Sequence, residues 1–505
     1  MDNITLELEL DPAVAAALPR APALARLRNG AAGRVRPVAE ALVWLDTAEG
    51  RLAAAGLALE QDRSGARRLL RVRPPLHASG PVPWRPGLPA ELLATLPAGA
   101  APEEAGSGTL MPIAAFEGRR SLMPLATEDG PAEAELLAGR LRTVAAERPA
   151  ARLRLTGPTG PVLALAEALA ADLPLLPPRQ TLAEAGRLLA RGSDGGPAAG
   201  EPRRRGAPDL GGAEGVEQAL TLAIGHLAEV LLWHLPLARA DAGPEGVHQS
   251  RVALRRLRSV LRVFRPAADA PELRGLDAAL KELATLLGPA RDWDVFRDGL
   301  GAELAAALPG ERRLAGLLRA SAQRRAEAYA ALEAALAGPA LRLLLLRVVA
   351  VVETAPWRAD ETDEAAAARR AQPLPEFAAW VLQKRWRKLA EVGPDLKGLP
   401  DESLHALRLQ GKKLRYAAEL FAPLWPGKPT RRFLKRLAAV QEAFGQSNDV
   451  VVARGLVAGL AGRGAGRAWA MGVAEGLALG HAKGARKRAE RAWRKLLGSS
   501  CFWDQ

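Results

Sequence analysis

The chain has 505 residues, enough for roughly two or three domains, and carries 70 Lys+Arg against 56 Asp+Glu. A net charge of +14 points to an anionic partner, but DNA, RNA, a membrane surface or polyphosphate would all satisfy it. The single cysteine, Cys501, excludes an internal disulfide and fits a reducing, cytoplasmic setting; the sequence has no P-loop, no Cys-x-x-Cys and no His-rich ligand cluster.

The opening MDNITLELEL lacks a basic stretch followed by an apolar run, so no signal peptide is expected. Residues 4–10 alternate as a strand, with Glu7 and Glu9 on one face and Leu6, Leu8 and Leu10 on the other. Two carboxylates on an exposed strand face are most simply solvated charges, and Glu7 and Glu9 are weak candidates for a metal. Residues 43–46 and 57–61 read as a strand pair around TAEGRLAAAG, and residues 69–72 and 152–156 as further strands. Helices are expected at 12–18, 133–146, 162–173 and 182–190. Residues 74–108, with frequent Pro and Gly, give no firm assignment. Residues 1–192 thus form an α+β domain with a mostly antiparallel sheet. Residues 193–214 are rich in Gly, Pro and charge and read as a linker, with Arg203 to Arg205 a solvated charge run.

Residues 215–505 read as all-helical. The segment LRLLLLRVVAVV from Leu341 is twelve residues long with two Arg, too short and too charged to cross a bilayer; a core helix is expected. Residues 381–505 hold 24 basic and 10 acidic residues, whereas residues 211–380 balance at −1, so the anion-attracting field lies towards the C-terminus.

A basic helix pattern occurs twice, as VHQSRVALRRLRSVLRVF from Val247 and LHALRLQGKKLRYAAELF from Leu404, with His248 and His405 157 positions apart. LGPARDWDVF from Leu287 and FGQSNDVVVA from Phe444 keep that register, pairing Gly288 with Gly445 and Asp292 with Asp449. Two blocks at a constant offset indicate a duplicated helical unit, with copies at about 215–365 and 375–505. At about 100° per residue, Arg251, Arg255, Arg258 and Arg262 lie to one side of His248, while Leu254, Leu257, Leu261 and Phe264 face a core. In the second copy His405, Arg408, Lys412 and Arg415 repeat the stripe over Leu407, Leu414 and Phe421, and Glu419 stands where Arg262 stood. Like charges one turn apart repel by about a few tenths of a kcal/mol per pair, so such a stripe is unfavourable unless an anion lies along it. The Asp292/Asp294 pair beside Arg291 resembles an acid dyad, but a helix-cap or loop role is the simpler reading.

The pattern H-x-x-R-V-x-x-R-R-L-R, repeated and followed each time by L-G-x-x-x-D, resembles the CHAD domain, the conserved histidine α-helical domain. The resemblance implies two pseudo-symmetric four-helix bundles whose basic central face binds inorganic polyphosphate. The two stripes would take phosphate oxygens, together with Lys281 and Lys435. His248 and His405 would be hydrogen-bond donors near the groove or structural caps. Lys483, Lys487, Arg491 and Arg494, spaced i, i+4, i+8, i+11, form another stripe that would close the groove. Two departures stand out: Lys281 aligns with Ala438, and Gly411 interrupts the second basic helix at a cost of about 1 kcal/mol.

The N-terminal block, through LELEL, WLDTAEGRLAAAGLALEQD and RLRLTGPTGPVLALAEALAADLPLLP, resembles a CYTH domain, a triphosphate tunnel in which Arg and Lys hold the phosphates and several Glu hold a divalent metal. Here Asp11 takes the place of a Lys, Glu60 and Asp62 replace alternating Arg, and Arg152 and Arg154 replace carboxylates. The tunnel therefore reads as degenerate, with no catalytic residue and no cofactor expected. Three functions follow: non-catalytic polyphosphate binding in association with polyphosphate stores or granules; a metal-dependent inorganic triphosphatase with the helical domain holding substrate; and nucleic-acid binding. Tyr416 is the aromatic nearest the stripes, which disfavours base stacking, and no membrane partner is expected.

Overall fold

The computed structural model describes residues 3–27, 36–72, 91–192, 207–359, 363–393, 395–396, 399–460, 465–482 and 485–504. The N-terminal region runs β1 (Asn3–Leu10), α1 (Pro12–Ala15), α2 (Pro22–Leu27), β2 (Val38–Thr47), α3 (Arg51–Ala54), β3 (Leu57–Asp62), β4 (Arg67–Arg71), β5 (Glu91–Leu96), β6 (Leu110–Thr127), β7 (Gly130–Arg142), β8 (Glu147–Pro158), α4 (Thr159–Asp172), β9 (Leu175–Leu176) and α5 (Leu182–Ala190). The strands make one antiparallel sheet in the order β5-β4-β3-β2-β6-β7-β8-β1-β9. Leu6, Leu8, Leu136, Leu153 and Leu155 pack under α4 on one side, and α5 covers Trp44, Phe116 and Leu141.

The helix expected at 133–146 is instead most of β7, paired along its length with β6 and β8. The segment is rich in good helix formers, but Ala134 and Leu136 alternate with Glu133 and Glu135, and two long neighbouring strands settle which pattern is used. β6 spans Pro112, Gly118 and Pro124, which obscured it in the sequence. Gly118 faces Gly139 across the β6–β7 ladder, and a Cβ on either would come within 2.4 or 2.2 Å of a backbone carbonyl oxygen. That close approach admits only glycine.

The helical region runs α6 (Val216–His234), α7 (Glu245–Phe264), α8 (Pro271–Leu286), α9 (Gly288–Phe296), α10 (Ala302–Ala307), α11 (Arg312–Ala337), α12 (Pro339–Thr354), α13 (Glu364–Arg370), α14 (Leu374–Ala390), α15 (Asp401–Phe421), α16 (Lys428–Gly459), α17 (Ala465–Ala482) and α18 (Ala485–Leu497). The sequence α6–α7–α8 recurs in order as α14–α15–α16, as the 157-residue offset anticipates. Leu254, Leu257, Leu261 and Phe264 of α7 and Leu407, Leu414 and Phe421 of α15 are all buried, as the helical wheel requires. Phe264 stacks on Phe377 of α14 at 5.5 Å and meets Phe421 edge-on at 5.9 Å, tying the two basic helices to one aromatic cluster.

LRLLLLRVVAVV lies in α12 and is a core helix with two buried faces. Leu344, Val348, Val351 and Val352 join the helical core, while Leu346 and Val349 join the core beneath the sheet. Arg342 Nε donates to the Ala170 carbonyl at 2.7 Å, a cation at the C-terminal end of α4. Val216–Leu237 is long and apolar enough to cross a membrane, yet most of it is buried among its neighbours.

Candidate anion-binding face

α7 and α15 lie side by side, with Arg256 Nη2 3.5 Å from Glu419 Oε2 across the contact. The α7 stripe faces α8, which engages most of it. Arg251 Nη1 donates to the Ala284 carbonyl at 2.8 Å, Arg258 Nε to Asp277 Oδ1 at 2.7 Å, and Arg262 Nη2 to Asp277 Oδ2 at 3.0 Å. Burial lowers the Arg251 pKa despite the nearby Asp292 carboxylate, and burial raises that of Asp292. Arg255 and Lys281 are exposed and have no ion-pair partner among the described residues.

On α15, Arg408 and Lys412 are half-buried, and Arg415 Nε donates to Glu419 Oε1 at 2.7 Å one turn on. The α16 counterpart of Asp277, at the same offset, is Leu434, so the second half lacks that counter-charge. Lys435, Lys487, Arg491 and Arg494 are exposed. α18 packs on α16; Lys483 and the Asp449 side chain lie outside the described residues, as does Arg203 to Arg205.

His248 and His405 both lie inside their helices, His248 half-buried and His405 exposed; the N-caps are Pro244 and Pro400, so neither histidine is a cap. Asp292 and Asp294 sit inside α9 rather than at a cap or in a loop. Asp294 is fully buried and accepts from Arg325 Nε and Tyr329 Oη, each at 2.7 Å. Gly411 is buried, and a Cβ there would lie 2.2 Å from Gln441 Nε2, so close α15–α16 packing explains this interruption of the helix.

Sequence reasoning missed Arg385 of α14. Its Nη1 donates to the Lys413 carbonyl at 2.7 Å, and burial, then the Arg262 cation, pull its pKa down to about 10. This arginine therefore sits where the basic residues of the two halves converge. Its position one turn after Val381, on the apolar stripe of α14, was the available signal.

In the sheet domain, a cavity of about 270 Å³ is lined by Glu40, Glu60, Asp62, Arg68, Arg120, Glu135 and Arg154, among others. Glu7 is buried rather than solvated. Arg152 Nε lies 3.3 Å from Glu7 and its Nη1 3.3 Å from Glu9, while Arg154 bridges Glu7 at 2.9 Å and Glu135 at 3.3 Å. Burial disfavours the Arg154 cation, but Glu7 and Glu135 outweigh it and raise its pKa. Arg120 likewise spans Glu40 and Glu135. Asp11, expected to replace a tunnel cation, is exposed and caps α1 through the Ala13 amide. Asp62 organises the β3–β4 turn through Ser64 and Ala66. Glu60 does face the cavity, where burial raises its pKa while Trp44 Nε1 donates to it at 3.2 Å. The wall charges thus satisfy one another, leaving little field for a triphosphate.

An antiparallel sheet domain joined to an all-helical domain with two matching basic helices defines the class of this protein. Residues 222–458 match the CHAD domain family, so the chain contains a CHAD domain, and its N-terminal sheet is consistent with a CYTH-like tunnel. Two curated Mycobacterium tuberculosis proteins, uncharacterized proteins MT2285 and Rv2226, are each 28% identical over 230 residues, 45% of this chain and 42% of theirs. The chain thus covers less than half the length of these relatives. The crystal structure of the CHAD domain from the plant Ricinus communis is 29% identical, with a TM-score of 0.49 over 60% of this chain and 98% of that one. PptA from Streptomyces chartreusis is 19% identical, with a TM-score of 0.43 over 55% of this chain and 99% of that one.

Proposed function

We propose that this protein binds inorganic polyphosphate without catalysing its cleavage, through the basic faces of the helical domain, and acts in the cytoplasm at polyphosphate stores such as granules. The observation that carries this reading is the pair of matching basic helices in contact at the centre of the domain, alongside residues 381–505, where 24 basic residues stand against 10 acidic ones. The arginines take phosphate oxygens bidentately, whereas the lysines act as point charges. Arg385, half-buried and cationic beside Arg262, would gain a counter-charge from an anion bound there. The paired charges of the sheet domain argue against the triphosphatase reading, and the scarcity of aromatics along the stripes argues against nucleic acid.

The test is a titration of labelled long-chain polyphosphate with the full-length protein in EDTA. Binding should persist without metal and weaken steeply with salt, by analogy with counterion release from nucleic acids. Unlabelled polyphosphate should compete far better than RNA. No binding, a strict need for magnesium, or equal competition by RNA would defeat the reading.

A further inference from the structure

We propose that Arg262 of α7, Arg385 of α14 and Lys413 of α15 form one subsite for consecutive phosphates of a polyphosphate chain, at one end of the contact between the two basic helices. The inference rests on the polyphosphate reading and adds two residues to it, Arg385 and Lys413, that lie off the two basic stripes.

The two ends of the α7–α15 contact differ in charge. At one end Arg256 of α7 meets Glu419 of α15 at 3.5 Å, and Glu419 also accepts from Arg415. At the 157-residue offset the equivalents of Arg256 and Glu419 are Lys413 and Arg262. Exchanging the two helices therefore turns a cation–carboxylate contact into a cation–cation one. Arg385 ties this second end together. Its Nη1 donates to the Lys413 carbonyl at 2.7 Å, and the charge that acts on its guanidinium is that of Arg262. In the same register Arg385 stands where the first half has Ala228, a buried core residue of α6. The repeated fold thus does not itself call for a cation at this place.

Cations from three helices converge here with little to hold them together. Arg262 turns only Nη2 to Asp277, at 3.0 Å, which leaves its Nε and Nη1 for another partner. Arg385 is half-buried and Lys413 exposed, and neither has an ion-pair partner among the described residues. The Lys413 carbonyl is a poor substitute for one, because in mid-helix it already accepts from the amide four residues on. Burial and the like charge of Arg262 together disfavour the Arg385 cation, so the arrangement costs the folded protein. Mid-chain phosphates, each singly charged, supply the missing counter-charges. Their oxygens suit the forks of the two arginines and the point charge of the lysine. Because the subsite draws on both α7 and α15, a chain seated there is held by both basic helices at once.

The test titrates long-chain inorganic polyphosphate, at fixed salt, into full-length variants of equal charge change. Arg385→Gln with Lys413→Gln is compared with Arg319→Gln and Arg347→Gln, two exposed arginines of α11 and α12. The first pair should weaken binding about tenfold and flatten the salt dependence, and the control pair should change it less than about twofold. Lys413→Gln alone, at an exposed position, should cost about threefold. Arg385→Met should leave the melting temperature unchanged or raised, because it removes an enclosed charge beside a like charge. Arg385→Lys should recover part of the affinity. Equal losses from the two pairs, or a melting temperature lowered by Arg385→Met, would overturn the subsite while leaving polyphosphate binding intact. Absence of binding by the unaltered protein would overturn the functional reading itself.

Discussion

Asp277 governs how much of the α7 charge is available. It bonds Arg258 and Arg262 from a half-exposed position, where such pairs contribute only about 0–1 kcal/mol to stability. Asp277→Asn should therefore raise affinity for polyphosphate severalfold, with little change in melting temperature; an unchanged or weaker affinity would refute this. Asp294 behaves differently. It is fully buried and holds both Arg325 and Tyr329, so Asp294→Ala leaves a largely enclosed cation without its counter-charge. A loss of about 3–5 kcal/mol is expected in chemical denaturation. Cys501 is also buried, and burial together with Asp504 pushes its thiol pKa up to about 12, from 9.0 for a free thiol. A raised folded pKa keeps the thiol protonated while the unfolded chain ionises, so its contribution is constant below pH 9 and stability falls as pH rises from about 9 to about 12. Below that window, folded protein should resist alkylation until denatured.

Helices and strands show where local pattern suffices and where it fails. The apolar faces of α7 and α15 were legible because their spacing is unambiguous. β7 was not, since its residues suit either structure and only β6 and β8 decide. Gly411 looked like a weakness in α15, but Gln441 occupies the space a methyl group would need. Gly411→Ala should therefore fail to gain the usual helix-propensity benefit of about 1 kcal/mol, and should gain it once Gln441→Ala makes room. Stability measured for the two single variants and the double variant decides this. α12 belongs to both domains, so Leu346→Asp with Val349→Asp should destabilise the sheet domain and separate one unfolding transition into two. A single, unshifted transition would show that the shared face contributes nothing.

At the scale of the whole molecule, the two domains are joined by that shared helix and differ in how their charges are used. In the sheet domain Arg120, Arg152 and Arg154 are neutralised by Glu7, Glu9, Glu40 and Glu135. A bound triphosphate would have to displace those carboxylates, and the carboxylates a metal needs are held by arginine. Phosphate release from tripolyphosphate with magnesium or manganese should be negligible; turnover above about 1 s⁻¹, within the usual enzyme range, would restore the triphosphatase reading. In the helical domain charge is instead left exposed, chiefly after residue 380.

The sequence by itself determined the two-part organisation, the duplicated helical unit, the core faces of its basic helices and the excess of cations towards the C-terminus. Periodicity, repeat offset and charge count are local or additive properties, readable without knowing what packs where. Only the tertiary structure decided which charges are spent. Glu7 and Glu9 look solvated on an isolated strand but are paired by Arg152 and Arg154 from a strand nearly 150 residues away. Arg258 and Arg262 look free on a helical wheel but are held by Asp277, and Arg385, one arginine among many, is half-buried beside Arg262. An ion pair depends on distance in space, and between residues far apart in the chain that distance is fixed only when the elements pack.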